Sequence, residues 1–277
     1  AHRYFASEAK AWLLESDDIA LRAEALSTAL HGLFQLVVID LEPHDNAQVI
    51  FETLNARGTP LLAADLVKNF VMQRALSDGL DVEKLYHDRW QQFDGPYWRE
   101  EVKQGRIRRP RVDLLLDYWL EYQSASEVPA HDVFPAFRRH LGQDGNELVG
   151  VTESLHHSGR TFEKLHSIRD HTVVGSFLYR WEILELQVIT PLLLWLFDQP
   201  EDELPTSQLH QALTSLESFL VRRMVTRQTT KDYNRFFLEV LASLKSGVAS
   251  TAGDRLTSIL LDQTADSRYW PDDAEFA

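Results

Sequence analysis

The side chains best suited to chemistry lie in one segment, FETLNARGTPLLAADLVKNF. Asn55 and Arg57 place an amide and a guanidinium two residues apart, and guanidinium groups bind phosphate in a bidentate manner. Asp65 and Lys68 follow at a spacing that also suits an ordinary helical ion pair, worth only a few tenths of a kcal/mol. From residue types alone, two helices joined by surface charges are the commoner outcome, and a phosphate site is the alternative.

Two short helices and a turn must position these side chains. Asp45 or Asn46 can cap the first helix. Gly58 supplies the left-handed residue on which helices commonly end, and Pro60 prevents the helix from continuing. The second helix is expected to bury a stripe formed by Leu62, Leu66 and Phe70.

The pattern FETLN-x-RG-x-x-L-x-x-x-DL-x-KN, called the signature below, resembles the second signature of the GmrSD-type restriction endonuclease family. These are phage-defence proteins, including the SspE kind, whose N-terminal domain is similar to the ParB/sulfiredoxin fold. The matching residues are Phe51, Asn55, Arg57, Gly58, Leu62, Asp65, Leu66, Lys68 and Asn69. The resemblance extends weakly over nearly the whole chain.

This resemblance implies a protein that senses DNA, including modified DNA, and hydrolyses a nucleoside triphosphate, with GTP as the first candidate. Hydrolysis would license cleavage or nicking of DNA. The nucleotide- or phosphate-binding residues it implies are Asn55, Arg57, Gly58, Asp65 and Lys68. A Mg²⁺ ion is expected to accompany the nucleotide, since carboxylates often help to hold one.

Two other family signatures do not occur in this sequence: the Asp-Gly-Gln-Gln-Arg loop and the C-terminal His-Asn-His nuclease motif. We therefore expect an internal portion of a longer protein, and no catalytic residue is assigned. The residues also contain no phosphate-binding loop and no Ser-His-Asp pattern.

Composition bounds the class of protein. The 277 residues include 44% hydrophobic and 25% charged residues, typical of a soluble globular chain with a sizeable core. The Cys count of 0 excludes disulfides and thiolate metal sites. No apolar run reaches membrane-spanning length, so we predict no membrane partner and a cytoplasmic location.

The net charge of -14 argues against a protein surface that is basic throughout. Two local clusters are nevertheless candidates for DNA contact, because local patches decide where a polyanion binds. They comprise Arg106, Arg108 and Arg109 in the first cluster, and Arg222, Arg223 and Lys231 in the second. The alternatives are a solvated loop for the first and a helix-end charge pair with Glu217 or Asp232 for the second.

The predicted fold class is mainly α, with a small remnant of a ParB-like α/β core followed by an all-helical bundle. The predicted domains are residues 1–78, which contain the signature, and residues 79–277. Leu33–Leu41 is the predicted strand, and no strand is predicted after Phe70. The predicted helices are Arg3–Ser16, Ile19–Leu33, Val82–Phe93, Arg111–Gln123, Ala130–Leu141, Glu147–Ile168, Ser176–Phe197, Thr206–Val225, Thr230–Ser246 and Asp254–Gln263.

Histidines and tryptophans offer weaker signals. Glu153 and His157 lie four residues apart, but no third ligand follows at a useful spacing, so no metal site is predicted. Most tryptophans lie among apolar residues at helical spacing and are predicted to be core. Besides the nucleotide-hydrolysing enzyme, one function from another class stays open: a non-catalytic helical scaffold that binds a protein partner through its acidic surface. A homodimer is also compatible with the sequence.

Overall fold

The computed structural model describes residues 2–16, 18–33, 62–104, 107–142 and 147–276. The chain forms two compact units, Ala1–Arg57 and Gly58–Ala277. The predicted strand Leu33–Leu41 lies, apart from its first residue, outside the described residues, as does the first helix of the signature. The predicted division at residue 78 into an α/β part and a helical part stays a prediction.

The first unit contains two helices, α1 (His2–Leu14) and α2 (Ile19–Thr28), and α2 continues into a π-helical turn over Ala29–Leu33. Asp18 caps α2 by accepting the amide N–H of Leu21 at 3.0 Å. These elements confirm the two predicted N-terminal helices. None of the described residues in them is buried.

The second unit is mainly helical, as predicted. Its helices are α3 (Ala63–Ser77), α4 (Val82–Leu85), α5 (Pro96–Arg99), α6 (Arg111–Ser124), α7 (Val133–Leu141), α8 (Leu148–Ser167), α9 (Val173–Ile183), α10 (Thr190–Asp198), α11 (Thr206–Val225), α12 (Tyr233–Lys245), α13 (Ala252–Leu261) and α14 (Asp273–Phe276). Short π and 3₁₀ turns at Tyr86–Trp90 and Gln91–Asp94 replace the end of the helix predicted over Val82–Phe93. No described helix is long and apolar enough to cross a membrane.

Two helices lie at the centre of the core. Residues 112–120 of α6 and residues 190–196 of α10 are buried on every side, and the two helices pack against each other. A helix that is covered all round is a core element, so α6 and α10 form the core of the second unit. The tryptophans predicted to be core are buried: Trp90, Trp98, Trp119, Trp181 and Trp195.

A hairpin precedes α6. Strands β1 (Glu101–Gln104) and β2 (Ile107–Pro110) pair antiparallel, with Val102 opposite Arg109 and Lys103 opposite Arg108. The prediction that no strand follows Phe70 is therefore wrong. The strands are four residues each and rich in charge, so they lack the alternating β-branched pattern by which strands are usually found.

The single helix predicted over Ser176–Phe197 is also wrong, because the chain breaks between α9 and α10. Glu185, two residues after the end of α9, adopts the left-handed conformation, with φ of 51°. The amide of Leu186 then donates to the Trp181 carbonyl at 3.1 Å, which closes the helix end. Pro191 occupies the first turn of α10, where its missing N–H is not needed.

Candidate functional site

The structure describes only the second half of the signature. Asn55, Arg57 and Gly58, predicted to contact phosphate, lie outside the described residues. Asp65 and Lys68 lie in the first turns of α3, and both are partly buried.

Asp94 gathers the polar groups around α3. Its carboxylate accepts hydrogen bonds from Lys68, from the Tyr86 hydroxyl at 2.9 Å and from Arg99 at 2.6 Å. Arg99 also pairs with Asp65 at 2.9 Å. Burial alone would raise the pKa of Asp94, but the hydrogen bonds from Lys68, Arg99 and Tyr86 outweigh it and lower the pKa below its ordinary value.

This Asp94 network joins α3 to the turns between α4 and β1. Lys68 pairs with Asp94, and Asp65 pairs with Arg99, so both charges are balanced within the same unit. The side chains of Lys68 and Asp65 are 27% and 34% exposed. Of the two roles the sequence left open for them, the geometry supports the one that locks elements together. Asp94 and Arg99 were missed from sequence, because they lie far along the chain from α3.

The N-terminus of α3 is closed by a buried carboxylate. Asp113, in the first turn of α6, accepts the Ala64 amide N–H at 2.9 Å. Burial raises the pKa of Asp113, against the hydrogen bond from Ala64 and the charge of Arg109. Helix N-termini attract anions, and at the N-terminus of α3 the Asp113 carboxyl group already occupies that position. A phosphate at the signature would have to be bound elsewhere.

Three carboxyl groups share one side of α6. Asp113, Asp117 and Glu121 follow one another at four-residue spacing, which aligns them along a helix. Arg109 at the end of β2 pairs with Asp117 at 2.6 Å and donates to the Asp113 carbonyl at 3.4 Å. Burial raises the pKa of Asp117, although Arg109 opposes the change.

Beyond Arg109 this side of α6 borders a cavity of about 330 Å³. Burial also raises the pKa of Glu121, to about 8. We call this cavity the acidic pocket. Its lining includes Arg109, Asp117, Glu121, Glu127, Gln187 and Asn234. The four-residue spacing of the acids was visible in the sequence, but their burial follows from packing against the hairpin and α12.

The residues of the first cluster predicted to bind DNA differ in their exposure on the hairpin. Lys103 and Arg108 are cross-strand partners and both are exposed. Arg109 instead turns inward to Asp117, and its side chain is only 12% exposed. Its predicted role in DNA contact is therefore corrected to an internal ion pair. Arg106 lies outside the described residues.

Arg223 in the second cluster is fully buried, at 0% exposure. Its guanidinium donates to the Tyr233 hydroxyl at 3.1 Å and to the carbonyls of Tyr269, Thr229 and Ser267 at 2.6, 2.9 and 2.8 Å. A guanidinium enclosed in this way cannot reach a phosphate. The prediction for Arg223 is wrong, and the residue ties the end of α11 to the C-terminal segment.

The other two residues of that cluster are accessible to different degrees. Arg222 pairs with Asp273 at 2.6 Å and donates to the Pro271 carbonyl at 3.1 Å, with its side chain 22% exposed. Lys231 is exposed in the turn before α12. DNA contact by these two residues stays a prediction.

The sequence analysis did not find a cluster of polar side chains around Asp198. Asp198 at the end of α10 accepts hydrogen bonds from Ser158 and Thr161, each at 2.5 Å, and lies 3.4 Å from His157 Nε2. Ser158 is 0% exposed and donates its proton to the carboxylate. Because Ser158 is fully buried, its hydroxyl is closed to a substrate. The cluster fastens α8 to α10.

Among the described residues, the carboxylate of the signature is not available to a Mg²⁺ ion. Asp65, the carboxylate of the signature within the described residues, is paired with Arg99 at 2.9 Å. No group of three His, Asp or Glu side chains in the described ranges is arranged to hold a metal.

Comparison with known proteins identifies no family. No family model matches this chain, and neither the curated proteins nor the solved structures include a significant match.

Proposed function

We propose that this chain is part of a modification-dependent restriction protein of the GmrSD type. The intact protein would hydrolyse a nucleoside triphosphate, GTP first among the candidates, to license cutting or nicking of foreign DNA in phage defence. The observation that carries the proposal is the strict spacing of the signature. A ParB-like α/β core would contain its first half, with Asn55, Arg57 and Gly58 at the phosphates.

The contacts of α3 suggest what the second half of the signature does in this proposal. Its first turns are bound to the helical unit twice, through the Asp94 network and through the Asp113 cap. Charged hydrogen bonds of this kind contribute roughly 1.5–3 kcal/mol each when partly buried. A change at a bound nucleotide would therefore move α3 together with the turns at Tyr86–Asp94 and with α6. Asp65 and Lys68 would transmit the change and would not contact the phosphates.

The hairpin is the best candidate for DNA contact. Lys103 and Arg108 lie directly opposite each other, and like charges in that position destabilise a strand pair. A phosphate between them would remove the repulsion and add two charged contacts. Arg106, which lies between the two strands in the sequence, would add a third positive charge.

Nucleotide hydrolysis by the intact protein tests the proposal. In Asn55→Ala and Arg57→Ala variants we expect turnover to fall at least about tenfold, as for loss of a charge-stabilising group at a reacting phosphate. Asn69→Ala is the matched control, since Asn69 belongs to the signature but is exposed on α3. Thermal unfolding of each variant checks that the fold is intact. Wild-type rates in both Asn55→Ala and Arg57→Ala would refute the site assignment.

One observation favours the alternative, a non-catalytic scaffold. The surface formed by α9 and α11 exposes large apolar side chains: Tyr179, Ile183, Met224 and Val225 at 53%, 58%, 49% and 53%. Beside it, Leu184, Leu220 and Met224 line a cavity of about 470 Å³. Contiguous exposed apolar groups are typical of protein-binding surfaces. Absence of any nucleotide turnover in the wild-type protein would favour this alternative.

A further inference from the structure

Two neighbouring helices of the second unit form an exposed apolar surface. Tyr179 and Ile183 of α9, and Met224 and Val225 of α11, keep about half of their surface exposed. The two helices pack against each other, and Leu220 of α11 lines the cavity of about 470 Å³ beside these side chains. Covering apolar area of this kind removes it from water and stabilises a complex. We call this surface the α9/α11 face.

The charges that border the α9/α11 face are balanced. Arg180 of α9 donates to Glu217 of α11 at 2.9 Å, and Glu182 of α9 pairs with Arg169. The whole sequence, in contrast, has a net charge of -14. Two copies of such an acidic chain repel each other in most orientations. The repulsion is smallest where the facing charges are already paired, so the α9/α11 face is suited to contact with a second copy.

Two further charges at this face are not paired within the described part of the chain. Glu185 follows α9 and Arg227 follows α11, and both are exposed and line the same cavity. Neither forms an ion pair among the described residues. Both have a left-handed backbone, with φ of 51° and 57°. Non-glycine residues seldom adopt this conformation, and where they do, binding sites are common.

An acid and a base on one face are complementary to a second copy of that face. In a dimer with twofold symmetry, residue i of one copy contacts residue j of the other, and j contacts i. A twofold axis that passes between Glu185 and Arg227 therefore forms two identical ion pairs between the copies. A partner with charge of a single sign would match one of the two residues and oppose the other. The arrangement thus favours a second copy over such a partner.

We propose that the α9/α11 face joins two copies of this chain in a symmetric dimer. Glu185 of each copy pairs with Arg227 of the other, and Ile183 and Met224 are buried between the copies. None of these residues belongs to the signature, so the dimer goes beyond the proposed function and does not depend on nucleotide hydrolysis.

Sedimentation equilibrium of the intact protein tests the proposal. Between roughly 1 and roughly 100 µM we expect a monomer–dimer equilibrium with a dissociation constant in the micromolar range or tighter. Ile183→Asp should abolish the dimer, because it places a charge in the apolar contact. Thermal unfolding of this variant should match that of the monomer, since Ile183 is exposed there. A wild-type protein that stays monomeric would overturn the proposal and leave the face to a different protein, and a dimer that persists in Ile183→Asp would place the interface elsewhere.

Charge reversal tests the contact itself. Glu185→Arg places arginines opposite each other and Arg227→Glu places glutamates opposite each other, so each variant alone should dimerise at least about tenfold more weakly. A mixture of the two variants should form a heterodimer about as tightly as wild type, since both of its pairs then carry opposite charges. Glu201→Arg, in the exposed turn after α10, is the matched control for net charge. Single reversals that dimerise like this control, or a mixture that associates no more tightly than the single variants, would overturn the proposal.

Discussion

Replacing Glu121 by Gln is expected to change how the stability of the fold depends on pH. The substitution keeps the size of the side chain and the oxygen that accepts the Val128 amide N–H at 3.3 Å, but it removes the titration. In the folded wild type, burial raises the pKa from 4.5 to about 8. A group with a raised pKa stabilises the fold fully below its unfolded pKa and loses that contribution as the pH rises through its folded pKa.

The size of the effect follows from the same values. A rise from 4.5 to about 8 corresponds to at most about 5 kcal/mol, at roughly 1.4 kcal/mol per pH unit. Water in the open cavity next to the carboxyl group reduces this value. We therefore expect Glu121→Gln to be more stable than wild type by about 2 kcal/mol or more in alkaline solution. In acid, where Glu121 is neutral in both states, we expect a difference below about 1 kcal/mol.

Urea denaturation at several pH values between about 4 and about 9 measures this difference. Glu201→Gln, an exposed substitution of the same type, controls for the general change in net charge. Asp113 and Asp117 still titrate in both proteins, so the quantity to follow is the difference between variant and wild type. If that difference does not change with pH, Glu121 is not buried as a neutral acid and the account of the α6 carboxyl groups is wrong.

Three further predictions concern the cationic and acidic clusters. Arg223→Met should lower the free energy of unfolding by about 3 kcal/mol or more, because it leaves several buried carbonyls without donors; a loss below about 1 kcal/mol in urea denaturation would contradict its structural role. Asp94→Asn should cost about 1–2 kcal/mol near neutral pH. Because the pKa of Asp94 is lowered in the fold, its contribution to stability is lost as the pH falls through that pKa. The loss of stability in Asp94→Asn should therefore vanish in acid. A loss that persists in acid would count against the Asp94 network. Lys103→Glu should place opposite charges across the hairpin and raise thermal stability slightly, while weakening DNA binding and reducing its salt slope by about 0.9. Unchanged DNA affinity at all salt concentrations would remove the hairpin from the proposed interface.

Local sequence patterns were sufficient for most of the helices. Apolar periodicity after Pro205 predicted Thr206–Val225 with the bounds that the structure gives. The helix break at Glu185 was missed because WEILELQVI contains good helix formers and no Gly or Pro that would mark a break, yet Glu185 has a φ of 51°. The hairpin was missed because its strands are short and charged, so that pairing between neighbouring residues, not a strand pattern, defines it.

The candidate site could be predicted only in part, because its contacts join residues that are far apart in the sequence. The helical position of Asp65 and Lys68 followed from the signature. Their partners Asp94 and Arg99 belong to a 3₁₀ turn and to α5, which no local pattern connects with α3. For Arg223 a signal existed, since it lies one helical turn after Phe219 on the buried stripe of α11. The prediction for Arg223 relied on its residue type and not on this position, because arginines are seldom fully buried.

The rate of nucleoside triphosphate hydrolysis by the intact protein, with and without DNA, tests the proposed function most directly. We expect measurable turnover with at least one nucleotide, a change in rate when DNA is added, and loss of turnover in Arg57→Ala. A rate no higher than that of buffer with every nucleotide, in the presence and absence of DNA, would contradict the proposal.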